Sequence, residues 1–133
     1  MPGAGRGFYE WQKTGSKKKQ PFHIRLRDGS AFAFAGLWET WHREGQPMES
    51  CTILTTEPNE LTQQVHDRMP VIVGRGHFAD WLDATRSGTL ADCGYLGPYP
   101  ASEMAAIPVS THVNSPRNND PAYLTPLSSV MAE

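Results

Sequence analysis

Pro21-Phe22-His23-Ile24-Arg25-Leu26-Arg27-Asp28-Gly29 is the stretch on which the fold class turns. Phe22, Ile24 and Leu26 alternate with His23, Arg25 and Arg27, the period-two pattern of a strand with one buried and one wet face. Asp28-Gly29 is a strong hairpin-turn signal, so Ala31 to Trp38 is expected to return as the next strand. Upstream, Arg6 to Lys13 alternates aromatic and polar residues and predicts a preceding strand, with Thr14-Gly15-Ser16 and the lysines after it as the turn. Downstream, Trp41 to Glu49 reads as a polar loop broken at Gly45-Gln46-Pro47, and Ser50 to Thr56 as a buried strand. A short helix is expected from Pro58 to Val65, a strand from Met69 to Val73, and a second helix from Gly76 to Ala84 with Phe78, Trp81 and Leu82 on one face. Residues 85–105 read as irregular, Ile107 to Val113 as a late strand, and 114–133 as an irregular C-terminal tail. Short strands with two short helices predict one α+β domain over 1–133, built round an antiparallel or mixed, barrel-like sheet with peripheral helices.

Length and composition agree with that class. A chain of 133 residues makes one domain, and an apolar share of 38% with twelve Gly and eleven Pro predicts a loop-rich fold with a modest core. No run approaches the ~18 apolar residues of a membrane span, and the N-terminus has no signal-peptide apolar segment, so a cytoplasmic, nucleoid-associated location is the expectation. The net charge of −2 hides an asymmetry: residues 1–27 carry seven Lys and Arg against Glu10 alone, while the rest carries five basic and thirteen acidic residues. The basic segment with Lys17, Lys18, Lys19 and Arg25 is suited to attract phosphate beside Glu10, or else forms a solvated hairpin tip. The acidic remainder excludes a general DNA-coating protein and restricts any nucleic acid to one face. Cys51 opens the apolar run Cys51-Thr52-Ile53-Leu54 and is expected to be a buried thiol, whereas Cys93, in Asp92-Cys93-Gly94, is expected to be more exposed. Two cysteines form neither a disulfide framework nor a metal-ligand spacing, and the five histidines show no zinc pattern, so no metal and no cofactor are expected.

Three segments carry candidate chemistry: Gly7-Phe8-Tyr9-Glu10-Trp11, His66-Asp67-Arg68-Met69-Pro70 and Val109-Ser110-Thr111-His112-Val113-Asn114. A carboxylate such as Glu10 and an imidazole such as His66 move protons in opposite directions near neutral pH. Aromatic faces and guanidinium groups stack bases and neutralise phosphate, which makes Trp11 and Arg68 candidate DNA contacts together with Lys17, Lys18 and Lys19. Each also has a plainer reading. Glu10 alone is an exposed strand residue, His66 a lone surface histidine, Trp11 a core aromatic pointing away from Glu10, and Arg68 a partner for Asp67 or for a helix end.

In order and context these segments resemble the SOS response-associated peptidase (SRAP) family. The likeness continues through Gln20-Pro21-Phe22-His23-Ile24, Ala33-Phe34-Ala35-Gly36-Leu37-Trp38-Glu39 and Thr52-Ile53-Leu54-Thr55-Thr56, from about Arg6 to about Leu127. The resemblance implies a curved mixed β-fold with peripheral helices and a DNA groove. It also implies an abasic-site processing function in which Glu10 and His66 match the catalytic glutamate and histidine. In the complete family the α-amine of a cysteine directly after the initiator methionine condenses with the abasic aldehyde, and its thiol closes a thiazolidine. That product shields the lesion, and the family is also linked to peptidase-type removal of its own methionine. Position 2 here is Pro2, and nothing matches the family's N-terminal asparagine and arginine, so the chain is expected to correspond to the C-terminal part, incomplete at the N-terminus. The implied partner is single-stranded DNA containing abasic sites, with no membrane and an open oligomeric state. Two alternatives stand beside this reading: a non-catalytic single-stranded-DNA-binding remnant, and a cysteine-type peptidase using Cys51 or Cys93 with His66. The second has no local motif that would activate either thiol. By the same comparison His23, His42, His77 and His112 are expected to be structural or surface residues.

Overall fold

The computed structural model describes residues 3–127, with side chains from residue 5 onward. Its strands are β1 (Gly3–Gly5), β2 (Phe8–Gln12), β3 (Gln20–Leu26), β4 (Phe32–Phe34), β5 (Gly36–Arg43), β6 (Gln46–Ile53), β7 (Thr55–Thr56), β8 (Met69–Pro70), β9 (Ile72–Val73) and β10 (Met104–Pro108). They form four antiparallel sheets in the orders β1-β4-β9, β10-β3-β2, β5-β6 and β7-β8. A single α-helix among the described residues, α1 (Phe78–Leu82), lies at the periphery. The sheets do not join into one closed barrel among the described residues.

The expected alternation holds on β3, where Phe22, Ile24 and Leu26 are buried and His23 and Arg25 are not. Ile24 faces Phe8 across one edge and Ala106 across the other, which makes β3 the centre of its sheet. Burying such side chains contributes roughly 1.5–3 kcal/mol each. The Asp28-Gly29 turn also forms: Gly29 has φ 70° and the Asp28 carboxylate accepts from the Ser30 N–H at 2.8 Å. Its outcome differs from a hairpin, however, because β4 pairs with β1 and β9 and not with β3. Packing decides the route, since Phe32 and Phe34 meet Phe8 edge to face across the gap between the two sheets.

The region expected to be a polar loop, Trp41 to Glu49, is instead the distal part of a long hairpin of β5 and β6. Arg43 faces Gln46, leaving a two-residue turn in which Glu44 and Gly45 have φ of 50° and 81°. Two positive φ values define the turn whose twist suits paired strands, and Glu is rare there. The strand expected to be buried from Ser50 is exposed along β6, and Cys51 is exposed with it. At the root of this hairpin three backbone bonds close a ring: Leu54 N–H to Ala35 O, Ala35 N–H to Val71 O and Val71 N–H to Leu54 O, each 2.9 Å.

Shorter elements replace both expected helices. Between Pro58 and Val65 only a 3-10 turn forms, at Thr62–Gln64. The buried Asn59 organises it by accepting from the N–H groups of Leu61 and Thr62 and donating to the Tyr99 carbonyl at 2.6 Å. That side chain competes with a helical backbone for the same donors. The second helix shrinks to α1 after a 3-10 turn at Arg75–His77. Phe78 and Trp81 pack on the Val71 and Val73 cluster, while Leu82 remains exposed. The strand expected from Met69 to Val73 splits at Val71, which bonds to the ring just described. The late strand ends at Pro108, and Ser110 then caps a 3-10 turn at Thr111–Asn114. Beyond it the chain returns to β10, where Leu127 N–H donates to the Pro108 carbonyl at 2.8 Å.

Candidate functional site

Register on β2 sets the directions of the key side chains. Glu10 faces Phe22 and Gln12 faces Gln20, so both project from the face that carries Phe8 and Ile24. Tyr9 and Trp11 face His23 and Pro21 and project from the opposite one. Glu10 is half-buried, and its Oε1 accepts from the Trp11 N–H at 3.0 Å.

Gln12 connects this strand to the second motif. Its Nε2 donates to the Gln64 carbonyl at 2.6 Å, in the turn that leads into His66. The His66 ring is partly exposed, and its Nδ1 accepts from the Arg68 N–H at 3.1 Å. The same Nδ1 lies 3.0 Å from Asp67 Oδ1, a pair that is ionic only when the ring is protonated. One nitrogen therefore has two competing partners: an N–H donor for the neutral ring and a carboxylate for the cation. Arg68 is turned toward β7, where its Nη2 donates to the Thr55 carbonyl at 2.8 Å and to Thr55 Oγ1 at 2.9 Å. Its partner is thus Thr55 and not Asp67.

Two clefts flank Trp11. One, of about 310 Å³, is lined by Trp11, Gln12, Lys19, His66 and Asp67 among others. The second, of about 540 Å³, is lined by Trp11, Lys17, Lys18, Lys19, Thr111 and Asn114. Glu10 lines neither; it shares its strand face with Gln12, which lines the first. Trp11 and Lys19 belong to both. The indole is half-buried and held in place, since its Nε1–H donates to Asn114 Oδ1 at 2.7 Å. The lysine bend is ordered from within, with Thr14 and Ser16 hydroxyls donating to the Lys18 carbonyl at 2.6 and 3.1 Å. Its ammonium groups make no ion pair with a described carboxylate.

The other histidines occupy structural or surface positions. His23 packs against Tyr9, and its Nε2 lies where any Cβ at Gly7 would stand, 2.1 Å away. Burial, and then the Arg25 charge, holds the His23 imidazole below its ordinary pKa. His77 stacks on Tyr95 at 4.2 Å, and burial with the Asp80 hydrogen bond pushes the Tyr95 hydroxyl far up. His112 Nε2 contacts Asp120 Oδ2 at 2.8 Å while Asn118 donates to the His112 carbonyl, which ties down the segment that presents Asn114. His42 is exposed on β5. Cys93 is half-buried beside Tyr95 and α1, and neither thiol lines the clefts at Trp11. No group of three or more His, Cys, Asp or Glu among the described residues is placed to hold a metal. Sequence reading gave no sign of the Gln12 tie or of Asp67 as the partner of His66. The Asn114 contact was signalled only by its place in the third motif.

The family model for SOS response associated peptidases (SRAP) matches residues 4–116, and the chain belongs to that family. It is 46% identical over 118 residues to abasic site processing protein YoaM of Bacillus subtilis, a match covering 88% of this chain and 52% of YoaM. It is 32% identical over 142 residues to abasic site processing protein HMCES of Gallus gallus, covering 91% of this chain and 41% of that one. A crystal structure of a protein from Bacteroides thetaiotaomicron superposes with a TM-score of 0.82 at 26% identity, over 95% of this chain and 56% of the other. The chain spans about half the length of the curated relatives it matches.

Proposed function

We propose that this chain carries the proton-transfer and DNA-holding portion of an abasic-site processing protein that acts on single-stranded DNA. The observation that carries the reading is the Gln12–Gln64 bond, which ties the strand of Glu10 to the turn of His66. Family membership and relatives named abasic site processing proteins support it. In this reading Glu10 moves protons at the abasic sugar, while His66 assists ring opening and polarises the reacting oxygen. Lys17, Lys18 and Lys19 attract the phosphates, Trp11 offers a stacking edge, and Arg68 braces the His66 segment through Thr55. The covalent crosslink, the peptidase and lyase-like activities and closure of the sheets into a barrel belong to this proposal as properties of the whole family fold.

A second reading, a non-catalytic single-stranded-DNA-binding module, is favoured by the lysine-lined cleft, which needs no proton transfer to bind phosphate. One experiment separates the two. Fluorescence anisotropy is measured with matched single-stranded oligonucleotides, one intact and one with a single abasic site. The catalytic reading expects tighter binding of the abasic strand, with that preference lost in Glu10→Gln and His66→Ala. Equal affinity for both strands would sink it and leave the binding module.

A further inference from the structure

Residues 110–123 form a short irregular segment after β10, and His112 is at its centre. All four polar groups of this half-buried residue are engaged. Its N–H donates to Ser110 Oγ at 3.1 Å. Its carbonyl accepts from the Asn118 amide at 2.8 Å and from the Ser115 N–H at 3.4 Å, which closes the turn Thr111–Asn114. Ring Nε2 faces Asp120 Oδ2 at 2.8 Å, and Nδ1 faces Asn118 Nδ2 at 3.1 Å. These partners fix the tautomer. A carbonyl only accepts, so the Asn118 atom beside it is the amide nitrogen. That nitrogen has a second hydrogen for Nδ1, which must be the bare nitrogen of the ring. Nε2 then carries the ring hydrogen, and the Asp120 carboxylate is the acceptor for it. The hydrogen bond to His112 is also the first cause holding the Asp120 carboxyl below its ordinary value.

The segment meets β2 on the face opposite Glu10. The Tyr9 hydroxyl donates to the Tyr123 carbonyl at 3.4 Å, and the Trp11 indole Nε1–H donates to Asn114 Oδ1 at 2.7 Å. Tyr123 in turn packs beside the His112 ring, with centroids 5.4 Å apart, and its hydroxyl donates to the Asn118 carbonyl. Asn114 is the last residue of the turn that the His112 carbonyl closes. We propose that His112 is a positioning residue for Trp11: in its Nε2–H form it holds the turn Thr111–Asn114, and through Asn114 it sets the orientation of the indole before a base arrives. The proposal rests on the reading of Trp11 as a base-stacking residue. An indole already held in one orientation gives up less freedom on stacking, which is worth about 2- to 10-fold in affinity for one immobilised side chain. Thr111 and Asn114 line the lysine-rich cleft beside Trp11, whereas His112, Asn118 and Asp120 do not, so His112 acts at one remove from the DNA path.

Two measurements on the 133-residue chain test this. In nitrogen NMR spectra of the free chain, His112 is expected to show a bare Nδ1 and a protonated Nε2. The Trp11 indole N–H signal, assigned by its loss in Trp11→Phe, should shift and exchange faster with water in His112→Ala and in Asn118→Asp. The signal of Trp81, which packs on the Val71 and Val73 cluster, should stay in place. Asn118→Asp meets Nδ1 with an acceptor instead of a donor, so both ring nitrogens should then carry hydrogen. That variant decides the matter if His112→Ala does not fold. The second measurement is affinity for an intact single-stranded oligonucleotide. His112→Ala should weaken it about 2- to 10-fold and Trp11→Ala about 5-fold or more. Adding His112→Ala to Trp11→Ala should cost nothing further. A Trp11 signal indifferent to both substitutions overturns the proposal, as does a bare Nε2 in the parent chain or a full additional loss in the double variant. If Trp11→Ala binds as tightly as the parent, the stacking reading of Trp11 fails, and the indole signal still decides whether His112 positions it.

Discussion

Gln12 on β2 and Gln64 near His66 are joined across 52 positions by a 2.6 Å hydrogen bond that the Gln12 side-chain amide donates to the Gln64 carbonyl. The donor leaves the same strand face as Glu10, so this bond links the Glu10 strand to the segment that aims the imidazole. Positioning within a fraction of an ångström governs proton transfer, and a directional tie between two segments that otherwise meet through apolar packing has leverage beyond its strength.

Removing that tie is therefore expected to cost little stability and much function. Gln12→Ala should lower stability by about 0.5–1.5 kcal/mol, read as a shift in the urea midpoint. In the same variant, preference for an abasic strand over an intact one should fall while binding to the intact strand is kept. A variant that retains the full preference would show that the tie positions nothing.

Trp11 and the lysine bend should separate in their salt dependence. Trp11→Ala removes a stacking surface worth ~1–3 kcal/mol per base, so affinity should drop by about the same amount at every salt concentration. Replacing Lys17, Lys18 and Lys19 together with Gln should reduce the slope of log affinity against log salt by about 2, at ~0.7 per phosphate contact on a single strand. Asn114→Ala frees the indole and should give a partial form of the Trp11 effect. An unchanged salt slope would remove the bend from the DNA path.

Acid should weaken the fold through His23. Its imidazole titrates below its ordinary value in the folded state, chiefly because it is buried and next because Arg25 is near. The unfolded chain therefore binds the proton first. The stabilisation from a neutral His23 is present above the unfolded pKa of about 6.5 and is lost as pH falls through the folded value. Urea midpoints measured between about pH 7.5 and 5 should fall with pH, and His23→Gln should flatten the curve. Asp28, Asp80, Asp83, Asp92 and Asp120 are all held below the ordinary carboxylate value, so their contributions fade only in more acidic solution, outside this window. A variant with the same slope as the parent would assign the dependence elsewhere.

The hairpin turn offers a test of backbone strain. Glu44 sits at φ 50° and Gly45 at 81°. Glu44→Asn places a residue that tolerates the left-handed region and should raise stability by roughly 0.5–1 kcal/mol, whereas Gly45→Ala should lower it by about 1 kcal/mol. Thermal melts with matched baselines would show both, and opposite signs would mean that the turn relaxes into another type.

The thiols differ in exposure and should differ in rate. Cys51 on β6 is exposed and Cys93 half-buried, so a disulfide reagent should modify Cys51 first. Neither Cys51→Ser nor Cys93→Ser should alter the handling of abasic DNA. Loss of activity in either would revive a cysteine-based reaction.

How much of this was legible beforehand varies with the range of the forces involved. The alternation of Phe22, Ile24 and Leu26 is local, and β3 formed as read. The turn at Asp28-Gly29 was legible, but the sheet that β4 would join was not, because aromatic packing between Phe8, Phe32 and Phe34 settles it at a distance. The β5–β6 hairpin stayed hidden for a different reason. Its turn uses Glu where Asn or Asp would advertise it, and its tryptophans, histidine and arginine lack a one-sided apolar pattern. Asn59 hid the loss of a helix, since a side chain taking over backbone donors leaves hydrophobic periodicity untouched. Glu10 and His66 were visible as members of motifs, whereas Gln12 was not, because no local spacing marks a bond between a side chain and a distant carbonyl.

The ring of Ala35, Leu54 and Val71 gives the hairpin an uncommon mechanical character. A hinge needs some bond at its axis that is free to swing, yet at this root each of the three residues donates to one of the others and accepts from the remaining one. Eight residues per strand make an arm of about 27 Å at ~3.4 Å per residue, clamped at one end. Torque at the tip is delivered through Leu54 to its neighbour Thr55, the residue gripped by Arg68. A load on the arm is thus felt two residues from His66, as in a lever whose fulcrum is made of backbone.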